Sequence, residues 1–250
     1  MKKILIVTAV YERHDLTEIV LNHYRNIKNN GWHDIQLLAV GSEGDKSRDL
    51  CILNGWDYIE HPNTPISQKF HHLFLHTQTY VFDFIILVGS DDLMSEEVIT
   101  FYETKIDRDT PYLFGLRDIY FYSIPHDATL HMEGYPFPQT IGAGRVFSRT
   151  LMERINYSIF TGTHINRGLD TSCSNRLKRA GIKEVAVTMK ETGGLIIDIK
   201  HPLTSLTPFS RIDRWSRRID IDVLSLTFPH LSDSIRSLKN KYENDFSINI

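Results

Sequence analysis

Short apolar runs alternate with amphipathic helical segments through the first hundred residues of the chain. The runs predict four buried strands, at residues 4–10, 35–40, 57–60 and 84–88. Between the first two runs, apolar side chains recur at helical spacing from Leu16 to Ile27. The resulting order, βαβαβαβ, requires parallel strand pairing with right-handed crossovers. We therefore expect an α/β fold in which helices flank a central, mostly parallel sheet.

The second half of the chain has a less regular pattern. It predicts strands at residues 112–124, 142–148, 185–189 and 195–199, and helices at 149–155 and 170–181. The last forty residues mix apolar and aromatic positions with charges, which predicts helices packed on the body. Because no repeat or linker interrupts the chain, we expect one domain over residues 1–205 and a helical C-terminal extension over 206–250.

The fourth apolar run ends in two adjacent acids, Asp91 and Asp92. In open α/β sheets, ligands bind at the carboxyl ends of the strands. Two carboxylates at that edge cost folding free energy unless a cation or hydrogen bonds satisfy them, and oxygen ligands suit Mg²⁺ or Mn²⁺ with a phosphate-bearing substrate. The alternative is a plain turn, followed by a helix that Ser95 caps.

Three residues near the same predicted edge could contact a nucleotide. The Tyr11 ring could stack on a base, and Arg13 could bind a phosphate. Lys69 lies in the first turn of a helix, where a cation opposes the helix dipole, so a nearby anion would explain its position. All three could equally be ordinary surface residues.

Asp170 and His201 are further candidates for chemistry. Asp170 heads a predicted helix, where it is either an N-terminal cap or a general base directed into a cleft. His201 follows a predicted strand and is either a third metal ligand or a turn residue.

Composition and charge restrict the remaining possibilities. The net charge of −3 provides no overall basic field for nucleic acid or anionic membranes, although a local patch could still bind one. Two distant cysteines predict no disulfide framework and fit a reducing compartment. The apolar N-terminal run is interpreted as a strand rather than a signal peptide, and no run has the length of a membrane span. We therefore expect a cytoplasmic protein without a transmembrane segment.

Several common motifs are absent from the sequence. It contains neither the G-x-S-x-G elbow of hydrolases nor the G-x-x-x-x-G-K-[ST] phosphate loop. Gly142-Ala143-Gly144 lacks the third glycine of a dinucleotide fingerprint. These absences argue against hydrolase, P-loop and dehydrogenase functions.

The order of these segments resembles the GT-A fold glycosyltransferases, in particular the family-2-like group. Residues 7–13 are similar to the opening strand and nucleotide-contacting loop, and residues 67–70 to a Lys-bearing helix start. Residues 87–92 resemble the Asp-x-Asp region, 142–149 the acceptor-side strand, and 168–170 the segment that carries the catalytic Asp. The resemblance covers about residues 1–205.

The resemblance implies a metal-dependent, inverting transfer of a sugar from a nucleotide-diphosphate sugar to a hydroxyl acceptor. It implies Asp170 as the catalytic base and Mn²⁺ or Mg²⁺ as the cofactor. The implied metal ligands are Asp91, Asp92 and His201. The implied contacts to the nucleotide sugar are Val10, Tyr11, Arg13, Ser42, Glu43, Lys69, Ser90 and Asp91.

Two positions depart from the pattern of this group. Gly89 stands where the first acid of Asp-x-Asp is expected. Gly41 and Ser42 replace the acid at the end of the second strand, with Glu43 as the nearest substitute. Two alternatives therefore stay open: a nucleotidyltransferase, and a non-catalytic nucleotide-sugar-binding protein of the same fold, which Gly89 favours.

The acceptor is the least constrained part of the prediction. A basic and aromatic segment in the C-terminal extension is a solvated helix face or a contact site for a polyanion; its residues are Arg211, Arg214, Trp215, Arg217 and Arg218. A glycan is the favoured acceptor, and a modified nucleic-acid base is the alternative.

Overall fold

The described chain forms two β-sheets with helices packed around them. The computed structural model describes residues 1–107, 109–135, 139–201 and 209–246. Its strands are β1 (Lys3–Ala9), β2 (Asp34–Gly41), β3 (Asp57–Glu60), β4 (Phe84–Leu87), β5 (Asp92–Met94), β6 (Tyr112–Leu116), β7 (Ile119–Ser123), β8 (Ala128–Met132), β9 (Arg145–Ser148), β10 (Lys183–Val187), β11 (Ile196–Lys200) and β12 (Arg217–Ile219). Its helices are α1 (His14–Asn29), α2 (Asp45–Leu53), α3 (Ile66–His76), α4 (Glu96–Lys105), α5 (Arg149–Arg154), α6 (Leu169–Arg179), α7 (Met189–Thr192), α8 (Phe209–Ile212), α9 (Val223–Thr227) and α10 (Pro229–Phe246).

The first sheet has seven strands in the order β10-β6-β9-β4-β1-β2-β3. Only β9 runs antiparallel to its neighbours, so the sheet is mostly parallel. Its interior strand β1 is buried on both faces, because Ile4 and Ile6 belong to one apolar core and Leu5 and Val7 to the other. Helices α1 and α4 pack in the first core, and α3, α5 and α6 in the second. This arrangement confirms the predicted α/β class.

The second sheet has five strands in the order β12-β8-β7-β11-β5. A row of five residues, one on each strand, crosses this sheet, and each residue is the register partner of the one on the neighbouring strand. From β5 to β12 the row is Asp92, Asp198, Phe121, Leu130 and Arg218. Paired neighbours in a sheet project to the same face, so we call this set the cross-sheet row. The row connects the Asp91-Asp92 turn with the C-terminal segment.

Several elements differ from the predictions. Neither β5 nor β8 is among the predicted strands, and the strand predicted at 142–148 begins only at Arg145. The run at 112–124 is two strands in different sheets, because the chain turns at Arg117 and Asp118 and continues in the second sheet. The C-terminal extension is not purely helical, since β12 pairs with β8 in an antiparallel ladder. The predicted boundary between residues 205 and 206 lies outside the described residues.

Helix length and hydropathy bear on membrane association. Among the residues that the structure describes, no helix combines the length and the apolar character needed to cross a membrane.

Candidate active site

Three carboxylates meet at the carboxyl end of β4. One oxygen from each of Asp91, Asp92 and Asp198 lies within 4.8 Å of the others. The turn after β4 supplies the first two residues, and β11 brings Asp198 beside Asp92 as its register partner. Asp198 Oδ1 is buried and has no hydrogen-bond partner among the described residues. Three oxygen donors with an unsatisfied buried atom fit a hard divalent cation such as Mn²⁺ or Mg²⁺.

Two basic side chains partly neutralise this carboxylate cluster. The Arg13 guanidinium forms a short ion pair with Asp91 and donates to Ser90 Oγ at 3.1 Å. The Lys200 ammonium lies 2.5 Å from Asp198 Oδ2 and 5.1 Å from the centre of the Phe121 ring. If all five groups are ionised, the cluster retains one net negative charge.

The three carboxyl groups titrate differently because their surroundings differ. Burial favours the neutral form of Asp91, but Arg13 and Lys200 outweigh it and leave the Asp91 pKa below its ordinary value. Burial, with the Asp198 and Asp91 charges, raises the pKa of Asp92 well above its ordinary value. Burial also raises the pKa of Asp198, to about 6. A divalent cation would relieve the repulsion among these groups.

Gly89 leaves space for the cluster. A Cβ atom at this position would lie 2.7 Å from Asp91 Oδ1 and 2.8 Å from Asp92 Oδ2, closer than side chains tolerate. The Gly89 amide donates to Asp92 Oδ2. A side chain at position 89 would require both carboxylates to shift, whereas β11 places Asp198 against the same group of oxygens.

His201, a predicted metal ligand, lies outside the carboxylate cluster. Its Nε2 is 3.4 Å from Asp15 Oδ1, and its ring packs against Tyr242 of α10. Asp198 and Lys200 are two positions apart on β11, so their side chains lie on the same face of the strand. His201 follows Lys200 directly, so its side chain points to the opposite face. Burial lowers the pKa of His201 despite the nearby Asp15 charge.

Asp170 lines the same cavity as the carboxylate cluster. Its Oδ2 accepts a hydrogen bond from the Gly142 amide at 3.1 Å, and its carbonyl accepts one from the buried Arg145 guanidinium at 3.0 Å. A Cβ on residue 142 would lie 2.3 Å from Asp170 Oδ1, so glycine is needed for this approach. The side chain remains 38% exposed. Asp91, Asp92, Asp198 and Asp170 all line one cavity of about 810 Å³.

The predicted nucleotide contacts divide into two groups. Tyr11, Arg13, Lys69, Ser90 and Asp91 line the cavity. Val10 and Ser42 instead accept hydrogen bonds from Lys69, and Glu43 accepts one from the backbone amide of Glu12.

Glu43 supports the loop that positions Arg13. Glu12 and Arg13 both have left-handed backbone torsions, with φ of 52° and 45°. Side chains rarely adopt this conformation, which therefore needs support. The Glu43 carboxylate provides it through the Glu12 amide at 2.9 Å and His14 Nε2 at 3.0 Å.

Lys69 connects three loops at the ligand edge. Its ammonium lies 2.6 Å from the Val10 carbonyl, 3.0 Å from Ser42 Oγ and 3.1 Å from Asn63 Oδ1. An ammonium has three hydrogens, so these acceptors use all of them. The side chain is fully buried, and burial lowers the pKa of Lys69 to about 8. Its geometry therefore organises the loops that follow β1, β2 and β3.

The Lys69 titration predicts a pH-dependent stability difference between the natural chain and Lys69→Met. The folded chain releases the Lys69 proton near pH 8, while the unfolded chain keeps it to about 10.5. The unfolded state binds more protons in this window, so Lys69 makes the free energy of unfolding rise with pH there, by up to about 3 kcal/mol. Urea unfolding of both proteins at pH 7.5, 9 and 10.5 measures the difference. We expect the free energy of unfolding of the natural chain, minus that of Lys69→Met, to increase with pH. If this difference stays constant or decreases with pH, the prediction is wrong.

The predicted basic segment is not one helix face. Arg211 is on α8, Arg214 and Trp215 follow it, and Arg217 and Arg218 lie on β12. Arg211 and Trp215 line the cavity. Arg217 and Arg218 are consecutive strand residues, so they project to opposite faces of the sheet.

Sequence reasoning missed Asp198, Lys200 and Arg145. The strand Ile196-Ile197-Asp198-Ile199-Lys200 did carry a signal, since two opposite charges two positions apart in an apolar strand share one face. Charges buried in such a strand need partners, which indicates a site. Arg145 has no comparable signal, because its role depends on Asp170 and Ser174, which are more than twenty residues away in the sequence.

Comparisons with known proteins gave structural similarities only. No protein-family model matches the sequence, and no curated protein does. The chain is similar to the catalytic domain of Drosophila beta1,4-galactosyltransferase 7 in complex with xylobiose (10% identity, TM-score 0.46, 74% of this chain and 65% of that one). It is also similar to the inositol-1-phosphate CTP transferase of T. maritima (15%, 0.49, 82% and 92%). A third similar structure is glucosyl-3-phosphoglycerate synthase of Mycobacterium tuberculosis with Mn²⁺, UDP-glucose and phosphoglyceric acid (14%, 0.47, 81% and 73%).

The similar proteins belong to two enzyme classes named in the sequence analysis. Two are GT-A-type glycosyltransferases and one is a nucleotidyltransferase. At these identities and TM-scores, the similarities assign neither an activity nor a substrate to this chain.

Proposed function

We propose that this chain is a metal-dependent, inverting glycosyltransferase that uses a nucleotide-diphosphate sugar as donor and a hydroxyl group as acceptor. One observation carries the proposal: a carboxylate cluster with an unsatisfied buried oxygen and a separate carboxylate, Asp170, line the same cavity. A cation site for a diphosphate and a base for a hydroxyl are the two elements that such a transfer requires.

The cluster would hold Mn²⁺ or Mg²⁺ through Asp91, Asp92 and Asp198. When bound, the ion would stabilise negative charge on the diphosphate leaving group. Arg13 and Lys200 would add positive charge at the same place. Tyr11 and Ser90 line the adjoining part of the cavity and would contact the rest of the donor.

Asp170 would act as the general base. The acceptor oxygen attacks the anomeric carbon, the bond from that carbon to the diphosphate oxygen breaks, and its electron pair leaves on the nucleoside diphosphate. The acceptor proton passes to the Asp170 carboxylate. Attack from the side opposite the leaving group inverts the anomeric configuration. The Gly142 amide and Arg145 hold Asp170 in place for this step.

A turnover assay tests the proposed function. The purified chain is incubated with a panel of nucleotide-diphosphate sugars and Mn²⁺, and free nucleoside diphosphate is measured with and without EDTA. We expect one donor to be hydrolysed slowly to nucleoside diphosphate, and EDTA to stop the release. Binding of a donor without any release contradicts an enzyme and supports the binding-protein alternative. The chain is also incubated with a nucleoside triphosphate and a sugar phosphate. If it releases pyrophosphate from them and hydrolyses no donor, the glycosyltransferase proposal is wrong and the chain is a nucleotidyltransferase.

A further inference from the structure

Two residues of the C-terminal segment, one basic and one aromatic, also line the cavity. Arg211 and Trp215 line the same cavity as Asp170 and the carboxylate cluster. The Trp215 ring meets Phe121 edge to face, with centroids 6.3 Å apart and planes at 89°. Trp215 is also 48% exposed. An anchored and exposed indole at a cavity rim is a surface on which another ring can stack.

The cross-sheet row shows which arginines share the cavity's face. Phe121 lines the cavity and pairs with Leu130, which pairs with Arg218. Arg218 therefore projects from the face that carries the cavity. Four strand spacings separate it from Asp92, a distance of about 19 Å.

Arg217 belongs to the opposite face. It pairs in register with His131, whose ring stacks on Tyr120, the neighbour of Phe121 on the other side of β7. Its guanidinium lies 3.1 Å from Glu133 Oε1. The two adjacent exposed arginines therefore differ in their surroundings. Arg218 is directed to the cavity side, whereas Arg217 is paired with an acid on the opposite face.

Two exposed arginines form a basic patch on the cavity side. Arg211 lines the cavity, Arg218 shares the sheet face of Phe121, and neither forms an ion pair with another described residue. Because the chain as a whole has a net charge of −3, this patch is not part of a general excess of basic residues. One guanidinium group can bind two oxygens of a phosphate through parallel hydrogen bonds. An aromatic ring beside such groups can stack on an unpaired base.

We infer that the acceptor is a single-stranded nucleic acid. Its phosphates would contact Arg211 and Arg218, and a base would stack on Trp215, so that a hydroxyl group of the bound strand reaches Asp170. This inference rests on the proposed function, because it names the acceptor of that transfer. A neutral glycan also stacks on aromatic rings, but it supplies no phosphates for the two arginines.

Fluorescence anisotropy with a labelled 12-nucleotide single-stranded DNA of mixed sequence tests the inference. We expect wild-type binding at 50 mM salt that weakens steeply by 200 mM. Arg211→Ala/Arg218→Ala should lower the affinity at least tenfold and reduce the slope of log affinity against log salt by about 1.4. Trp215→Ala should lower the affinity about fivefold or more.

Arg217→Ala is the matched control for Arg218→Ala alone, since each removes one positive charge and the two residues lie on opposite faces of β12. We expect Arg217→Ala to change the DNA affinity less than twofold. Absence of DNA binding at 50 mM salt overturns the inference, and so do equal losses of affinity in Arg217→Ala and Arg218→Ala. A labelled acidic polysaccharide that binds as tightly as the DNA, with an affinity that Trp215→Ala leaves unchanged, overturns it as well. Donor hydrolysis by the wild-type chain without DNA is measured separately, so failure of the acceptor assignment is distinguishable from failure of the proposed function.

Discussion

Asp170→Asn should abolish sugar transfer while leaving metal and nucleotide binding intact. Asparagine has the same shape, and its carbonyl oxygen can still accept the hydrogen bond from the Gly142 amide. It cannot take a proton from the acceptor, and a positioned base contributes about 10²–10⁴-fold to the rate. We therefore expect turnover to fall by at least 100-fold, measured as nucleoside diphosphate released with acceptor present.

Calorimetry distinguishes a lost base from a damaged fold. The affinity of Asp170→Asn for nucleoside diphosphate with Mn²⁺ should stay within threefold of wild type, because the carboxylate cluster is untouched. Asp49→Asn, on the exposed side of α2, is the control for the substitution itself and should keep full turnover. If Asp170→Asn turns over within tenfold of wild type, Asp170 is not the base.

Asp198→Asn combined with Lys200→Met should remove Mn²⁺ binding. The single Asp198→Asn change leaves the Lys200 ammonium buried without its partner, which costs about 3–5 kcal/mol of stability. The double variant avoids this cost and keeps the net charge of the cluster unchanged. Any loss of binding then reflects the replacement of a carboxylate ligand by an amide rather than a change in the net charge of the cluster. We expect the Mn²⁺ affinity in the presence of nucleoside diphosphate to fall at least about 100-fold.

Electron paramagnetic resonance of free Mn²⁺ measures this affinity directly. Lys200→Met alone is the matched control, because it keeps all three carboxylates, and it should bind Mn²⁺ at least as tightly as wild type. Wild-type Mn²⁺ affinity in the double variant would remove Asp198 from the metal site.

Local pattern accounts for the parts of the structure that could be predicted. The first four strands and the helices between them follow from apolar runs and helical spacing, which depend on neighbouring residues only. The same pattern placed Asp91 and Asp92 at a strand end and Asp170 at a helix start. The parallel order then implies that strand ends meet at one edge, where the structure has the cavity.

The remaining features depend on contacts between distant parts of the chain. The run at 112–124 is apolar because both of its halves are buried, so its pattern does not reveal that they belong to different sheets. The choice between Asp198 and His201 depends on which face of β11 meets the Asp91-Asp92 turn. The sequence position of Lys69 does not reveal that its ammonium donates all three hydrogens to groups on three loops. Likewise, the sequence does not reveal that residues 217–219 form a strand, which places Arg217 and Arg218 on opposite faces of the sheet.

A cation bound by the carboxylate cluster should share one cavity with Asp170. Anomalous diffraction from a crystal soaked with Mn²⁺ and the nucleoside diphosphate identified by the turnover assay tests it most directly. We expect one strong manganese peak within about 2.5 Å of an Asp198 oxygen, with the diphosphate between the metal and Asp170. A peak at any other position, or a diphosphate bound outside this cavity, would contradict it.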